Sequence, residues 1–316
     1  EIGSGLVGSE MCIRDRVAGV KCDLCPRKCL VDRKKGEKGI CGQTENLKVA
    51  RAALHFWEEP CISGDAGSGA VFFSGCPLHC VFCQNENIAN GTVGKEISLE
   101  RLVDIFLELQ EKRANNINLV TPGHFVPQIV KALDQARKEG LTLPVVYNTS
   151  SYETVDTIKM LEGYVDIYLP DFKYMSPVLS KKYSHAPDYA EVAKAAIAEM
   201  VRQTGKAVFV NGDEDNLILS GTIVRHLTLP GCMADSMQIL KYLHDTYGDM
   251  IYISIMNQFT PLSNLEKYPE LNRRITDEEY ETLVDYAIEI GIENGFIQEG
   301  NTAEESFIPA FDCEGV

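Results

Sequence analysis

The sequence predicts an α/β barrel or partial barrel preceded by a small cysteine-rich region. Three observations carry this. From Ala70 onward, short strand-like apolar runs alternate with longer helix-like stretches, the pattern of parallel strands joined by right-handed crossovers. About six such units fit between residues 70 and 260, fewer than a closed barrel needs. Residues 17–60 differ in kind: they are basic and hold four closely spaced cysteines.

Taken in order, "AVFFSG" (70–75) reads as the first strand, followed by a helix over 98–114 with Ser98 as its N-cap. Residues 116–121 form the second strand, and 126–140 a helix stopped by Gly140. The apolar runs 143–149, 164–173, 222–230 and 250–258 continue the series. Helices are expected at about 153–162, 188–204, 233–246 and 277–290. The stretch "KAVFVNGDEDNLILSGT" (206–222) alternates around a turn-rich centre and predicts a β-hairpin inserted before the fifth strand.

With 316 residues, 45% of them hydrophobic and 24% charged, the chain can bury one large core plus an appendage. Its formal charge of -16 argues against a nucleic-acid backbone as partner, because no basic surplus exists to displace counterions. The basic run "RKKGEK" (33–38) is expected to be a solvated loop face. No apolar run approaches the ~18 residues that span a bilayer, so a cytoplasmic chain without a membrane partner is expected. Residues 5–16, "GLVGSEMCIRDR", back-translate to DNA resembling a transposase-type sequencing-library adapter. Residues 1–16 are therefore set apart as a translated artefact, Cys12 with them, and their removal is expected to leave the fold unchanged. The remaining division is 17–60, a metal-binding region, and 61–316, the barrel.

Chemistry concentrates in "GCPLHCVFCQN" (75–85), where Cys76, Cys80 and Cys83 are spaced C-x3-C-x2-C. The loop follows the first strand directly, and such loops deliver residues to the mouth of a barrel. Three thiolates can hold three irons of a 4Fe-4S cluster and leave the fourth open, whereas a closed site has four protein ligands. A second set, Cys22, Cys25, Cys29 and Cys41, is spaced C-x2-C-x3-C-x11-C and reads as a metal site, zinc or a second iron-sulfur cluster. Cys61, Cys232 and Cys313 stand alone and read as incidental thiols.

The three-cysteine motif, with aromatic Phe82 before its last cysteine, resembles the radical S-adenosylmethionine (SAM) superfamily. Within it the chain is similar to activating enzymes of pyruvate formate-lyase type and to a branch of pyruvate formate-lyase activating-like iron-sulfur proteins. The likeness runs from about Cys22 to Asp312. It is carried by "CDLCPRKCLVDRKKGEKGICG", "EEPCISG", "GSGAVFFSGCPLHCVFCQN", "NINLVTPGHFVPQI", "VVYNTSSYE", "VDIYLPDFKY", "IVRHLTLPG" and "IMNQFTP". It implies a partial (β/α)6 barrel of radical SAM type and a 4Fe-4S cluster whose open iron is chelated by SAM. Reductive cleavage of SAM would then give a 5'-deoxyadenosyl radical.

Matched by position, the resemblance places the cofactor against Thr121, Pro122 and Gly123, Asn148 and Thr149, Asp171 and Lys173, Arg225 and Gln258, with Phe82 in the cluster loop. It also implies a one-electron reductant such as flavodoxin or ferredoxin, and a glycyl-radical enzyme or another substrate as partner. The activases carry a basic residue where this chain has Ala70, an aspartate where it has Asn148, and a histidine where it has Gln258. The alternatives are a radical SAM enzyme modifying a small molecule or a protein side chain, and a non-enzymatic iron-sulfur or zinc protein. His124 and His226 are weighed as relay groups against ordinary core or surface histidines, and His79, between the loop cysteines, is read as solvated.

Overall fold

The structure, a computed structural model, describes residues 21–213, 216–261, 265–298, 309 and 311–316. The expected adapter-derived stretch, residues 1–16, lies outside the described residues.

The strands are β1 (Lys48–His55), β2 (Ser68–Phe73), β3 (Lys95–Glu96), β4 (Ile117–Val120), β5 (Val145–Thr149), β6 (Ile167–Pro170), β7 (Val208–Phe209), β8 (Ile218–Leu227), β9 (Tyr252–Met256) and β10 (Gly295–Ile297). The helices are α1 (Pro60–Ser63), α2 (Glu86–Ala89), α3 (Leu99–Glu111), α4 (Val126–Lys138), α5 (Val155–Lys159), α6 (Pro177–Ser184), α7 (Tyr189–Thr204), α8 (Met233–Tyr247) and α9 (Asp277–Glu289). One open sheet runs in the order β10-β9-β8-β6-β5-β4-β2-β1-β3, with β7 paired to β8. From β2 to β10 each neighbour along this order is parallel. The expected α/β partial barrel is therefore present, and its six strands are joined by a seventh short parallel one, β10.

Local chemistry explains the helices that flank the sheet. Ser98 caps α3, its hydroxyl accepting from the Arg101 amide at 3.2 Å. Leu102, Ile105, Phe106 and Leu109 then fall on one face and are buried against the sheet. Each such side chain contributes roughly 1.5–3 kcal/mol on leaving water. The next helix, α4, stops where Gly140 takes φ +105° and the Leu141 amide returns to the Ala136 carbonyl at 2.9 Å. The parallel strands read as apolar runs because both faces are covered: every residue of β2, β4, β5, β6 and β9 is buried.

The hairpin expected at 206–222 forms as the pairing of β7 with the start of β8, so the hairpin arm and the fifth parallel strand are one element. A strand not expected from the sequence, β1, runs antiparallel to β2 and belongs to the main sheet. Its free edge is covered by β3 and by the chain end, where Ala52 donates to Glu314 and Cys313 to Ala50. The 17–60 span is thus divided: described residues 21–47 lie ahead of the sheet, and 48–55 lie inside it. Arg33 departs from the solvated face expected for its run. It is buried over the Phe125 ring, 5.4 Å from the centroid, and donates to the Thr44 and His124 carbonyls.

Candidate active site

The cluster loop leaves β2 through Gly75, whose φ of +91° and lack of a side chain are both required. A Cβ there would run into the Cys41 carbonyl and the Gln43 side chain. The three thiols that follow are set in donors. Cys76 Sγ accepts from the Leu78 amide at 3.4 Å, Cys80 Sγ from the Ser184 hydroxyl at 3.0 Å, and Cys83 from the Asn85 amide. Burial pushes all three thiols up; the charge of neighbouring cysteines adds to this at Cys76 and Cys83, while Lys173 opposes it at Cys80. His79, at φ +50°, turns outward and meets the Ile40 carbonyl at 2.7 Å.

A cavity of about 460 Å³ opens beside these thiols at the C-terminal ends of the strands. Cys76, Cys80, Cys83 and Phe82 line one side. The rest of the lining includes Thr121 after β4, Asn148 and Thr149 in β5, Asp171 and Lys173 after β6, Arg225 in β8 and Gln258 after β9. Pro122 and Gly123 are not among the lining residues. They open the turn into α4, and a side chain on Gly123 would collide with the Glu153 carboxylate.

One charged network organises the cavity. Arg225 donates through Nε to Asp171 at 2.9 Å, through one terminal nitrogen to Glu58 at 2.9 Å and through the other to Asn148 at 2.6 Å. Asn148 and Asn118 both donate to Glu58, at 3.1 and 3.0 Å. Lys173 Nζ lies 2.6 Å from Asp171. Burial alone would raise the Asp171 carboxyl, but Lys173 and Arg225 outweigh it and hold it below the ordinary carboxylate range. Burial would likewise lower Lys173, and the Asp171 carboxylate reverses this. Glu59 is raised by burial and by the adjacent Glu58. The cavity therefore presents fixed charges of both signs, suited to a zwitterionic ligand.

Glu58, Glu59 and Asn118 had no role in the sequence reading. The signal available was "EEP", two acidic residues ahead of the proline that starts α1, but only β1 brings them across the cavity. His226 is buried with both ring nitrogens engaged, by the Phe172 carbonyl and the Ser236 hydroxyl, each at 2.8 Å. His124 is buried and bonded to the Ser74 carbonyl at 2.7 Å. Neither lines the cavity. Of the isolated cysteines, Cys61 is buried, and Cys232 and Cys313 are partly exposed.

The four N-terminal cysteines are neighbours. Burial pushes the Cys25 thiol up to about 12, with Glu153 and then Cys41 and Cys22 adding to it, and burial likewise raises Cys41, with Cys22 and Cys29 adding to it. Amides donate to three of the sulfurs: Arg27 to Cys25, Ile40 to Cys29 at 3.3 Å, and Gln43 to Cys41. Among the described residues, no three His, Cys, Asp or Glu side chains are gathered to hold a single ion. At Cys76, Cys80 and Cys83, three separate half-buried cysteines, each sulfur with its own donor and with Lys173 nearby, fit the corners of an iron-sulfur cluster.

Residues 70–216 match the Radical SAM superfamily model, and the C-x3-C-x2-C motif at Cys76, Cys80 and Cys83 lies within that span. Protein MJ0674 of Methanocaldococcus jannaschii is 27% identical over 275 residues, 84% of this chain and 74% of that one. Among solved structures the chain is similar to the FeFe-hydrogenase maturase HydG from Carboxydothermus hydrogenoformans, at TM-score 0.49 and 14% identity, over 74% of this chain and 54% of that one. It is similar to Streptococcus suis SuiB bound to S-adenosylmethionine, at TM-score 0.49 and 12% identity, over 72% and 49%. A domain of pyruvate-formate lyase-activating enzyme from Bacteroides vulgatus gives TM-score 0.39 and 12% identity, over 55% and 91%. The chain thus spans about half the length of HydG and SuiB. No helix among the described residues is long and apolar enough to cross a membrane.

Proposed function

We propose that the chain binds a 4Fe-4S cluster through Cys76, Cys80 and Cys83 and cleaves SAM reductively in the adjoining cavity. The observation that carries this is three half-buried thiols sharing one cavity with the Asp171, Lys173 and Arg225 charges. When bound, the cluster would supply one electron to the SAM sulfonium, giving methionine and a 5'-deoxyadenosyl radical for hydrogen abstraction. The protein's part is to hold the ligand and exclude water. Lys173 offers its ammonium toward a carboxylate, the Asp171 and Glu58 carboxylates face an amino group, and Phe82 gives an apolar wall. Thr121, Asn148, Thr149 and Gln258 complete the binding surface.

We propose a second metal group, zinc or iron-sulfur, at Cys22, Cys25, Cys29 and Cys41, since amide donors to sulfur are what thiolate ligands require. A one-electron donor of flavodoxin or ferredoxin type is the partner this chemistry needs. For the substrate, a small molecule or a protein side chain is favoured over the glycyl-radical loop of an activase partner. Ala70, which stands where activases are basic, is fully buried between Ala53 of β1 and Asn118 of β4.

The test is anaerobic reconstitution followed by incubation with SAM and dithionite, with 5'-deoxyadenosine as readout. Wild-type protein should produce it and Cys80→Ala should not. Undiminished production by Cys80→Ala would reject the proposal.

A further inference from the structure

Two buried hydroxyls end on the sulfur of a cluster cysteine. Ser184, the last residue of α6, places its Oγ 3.0 Å from Cys80 Sγ, and the Tyr174 hydroxyl lies 2.8 Å behind it. Both residues are fully buried, so neither hydroxyl has water as an alternative partner. A metal-bound thiolate can only accept. Its presence would orient the Ser184 hydrogen toward sulfur and leave the Ser184 oxygen to accept from Tyr174. Such a chain polarises cooperatively, so the hydrogen bond that reaches sulfur is stronger than one from serine alone.

The end of α6 is held in place from the N-terminal cysteine region. Arg27 lies between Cys25 and Cys29, and its backbone amide donates to the Cys25 sulfur. Its guanidinium donates from Nε to the Pro77 carbonyl at 2.8 Å, and from its terminal nitrogens to the His185 carbonyl at 2.6 Å and the Ser184 carbonyl at 3.1 Å. The last two acceptors are carbonyls at a helix C-terminus, which lack partners within the helix. Pro77 belongs to the cluster loop, one residue after Cys76. A single planar side chain therefore ties the N-terminal cysteine loop, the cluster loop and Ser184 together, and the Tyr152 ring packs 5.1 Å from it.

We propose that the Tyr174–Ser184 hydroxyl chain sets the reduction potential of the cluster held by Cys80, and that Arg27 is the positioning residue keeping the chain on that sulfur. This rests on the cluster assignment made above. Hydrogen bonds to cluster sulfurs favour the reduced, more negative state, so each donor makes reduction easier. The N-terminal cysteine region then acts as a brace that fixes how readily the cluster accepts its electron.

The experiment is a redox titration of anaerobically reconstituted full-length protein, followed by electron paramagnetic resonance, with iron and sulfide counted in every variant. Ser184→Ala should move the potential to more negative values. Tyr174→Phe, which keeps the ring and its packing, should move it the same way by less. Arg27→Lys keeps the charge but not the fork, and should shift the potential in that direction. Combined with Ser184→Ala, it should add almost nothing, because both changes remove one hydrogen bond. Fully loaded Ser184→Ala and Tyr174→Phe proteins at the wild-type potential would overturn this inference alone. A wild-type chain that takes up no cluster would overturn it together with the cluster assignment.

Discussion

Asp171 and Arg225 form a parallel β-bridge, in which the Phe172 amide donates to the Arg225 carbonyl at 2.8 Å, and the Arg225 Nε donates to the Asp171 carboxylate at 2.9 Å. The backbone pairing places the two side chains side by side at the cavity, and the guanidinium then spans to Glu58 and Asn148. Removing one member of such a buried set leaves the others unpaired. Arg225→Ala should therefore lose about 3–5 kcal/mol in denaturant unfolding, and Arg225→Lys less, since it keeps the charge while losing the fork. Adding Glu58→Gln to Arg225→Ala should restore part of the loss. An Arg225→Ala protein within about 1 kcal/mol of wild type would contradict the network.

Gly75 tests the docking of the N-terminal region separately. Any L-residue at its φ of +91° is strained, by roughly 1–2 kcal/mol. At Gly75 the added Cβ also meets the Cys41 carbonyl and Gln43, whereas at Gly140, with φ +105°, nothing lies within 4 Å. Gly75→Ala should thus speed tryptic cleavage at exposed Lys34 and Lys35, and Gly140→Ala, carrying strain alone, should not. Equal cleavage rates in the two variants would show that the contact does not hold the region.

The parallel strands and the cluster loop were legible because their signals are local: apolar runs of strand length, a capping serine at 98, and cysteines close in sequence. Most of the remaining cavity lining was legible too, since barrel strand ends point to one mouth. Glu58 was not. It lies 167 residues from Arg225 in sequence, and only the antiparallel β1 brings it over the cavity. β1 itself escaped notice because "KVARAALH" mixes charged and small residues, and its identity as a strand comes from pairing with β2. Pro122 and Gly123 missed the cavity because the chain turns into α4 immediately after Thr121, itself at φ +56°. Helix α6 was missed as well; "PVLSKKYS" is short, and tertiary contacts decide such a segment.

The N-terminal cysteines should hold their metal independently of the cluster loop. In the Cys76→Ala, Cys80→Ala, Cys83→Ala triple variant, purified without oxygen, elemental analysis should still find zinc or iron. It should disappear when Cys22 and Cys25 are also replaced. Absence of both metals from the triple variant would remove the second site.

Acid should destabilise the fold through its buried histidines, and His226 allows the sign and size to be worked out. Burial lowers its pKa from 6.5 to about 4, while the Phe172 carbonyl only partly opposes this. Between those values the unfolded chain binds a proton that the folded chain refuses. The stabilisation is complete above the unfolded value and is lost as pH falls toward the folded one, by about 1.4 kcal/mol per pH unit. His55, lowered to about 4, and His124, lowered to about 3, add losses of the same sign. His226→Gln removes one titrating ring and leaves the other two. Between pH 7 and pH 5 in urea unfolding, wild type should lose about 2 kcal/mol more than the variant. The same pH dependence in both proteins would mean that the His226 ring is not held neutral between Phe172 and Ser236.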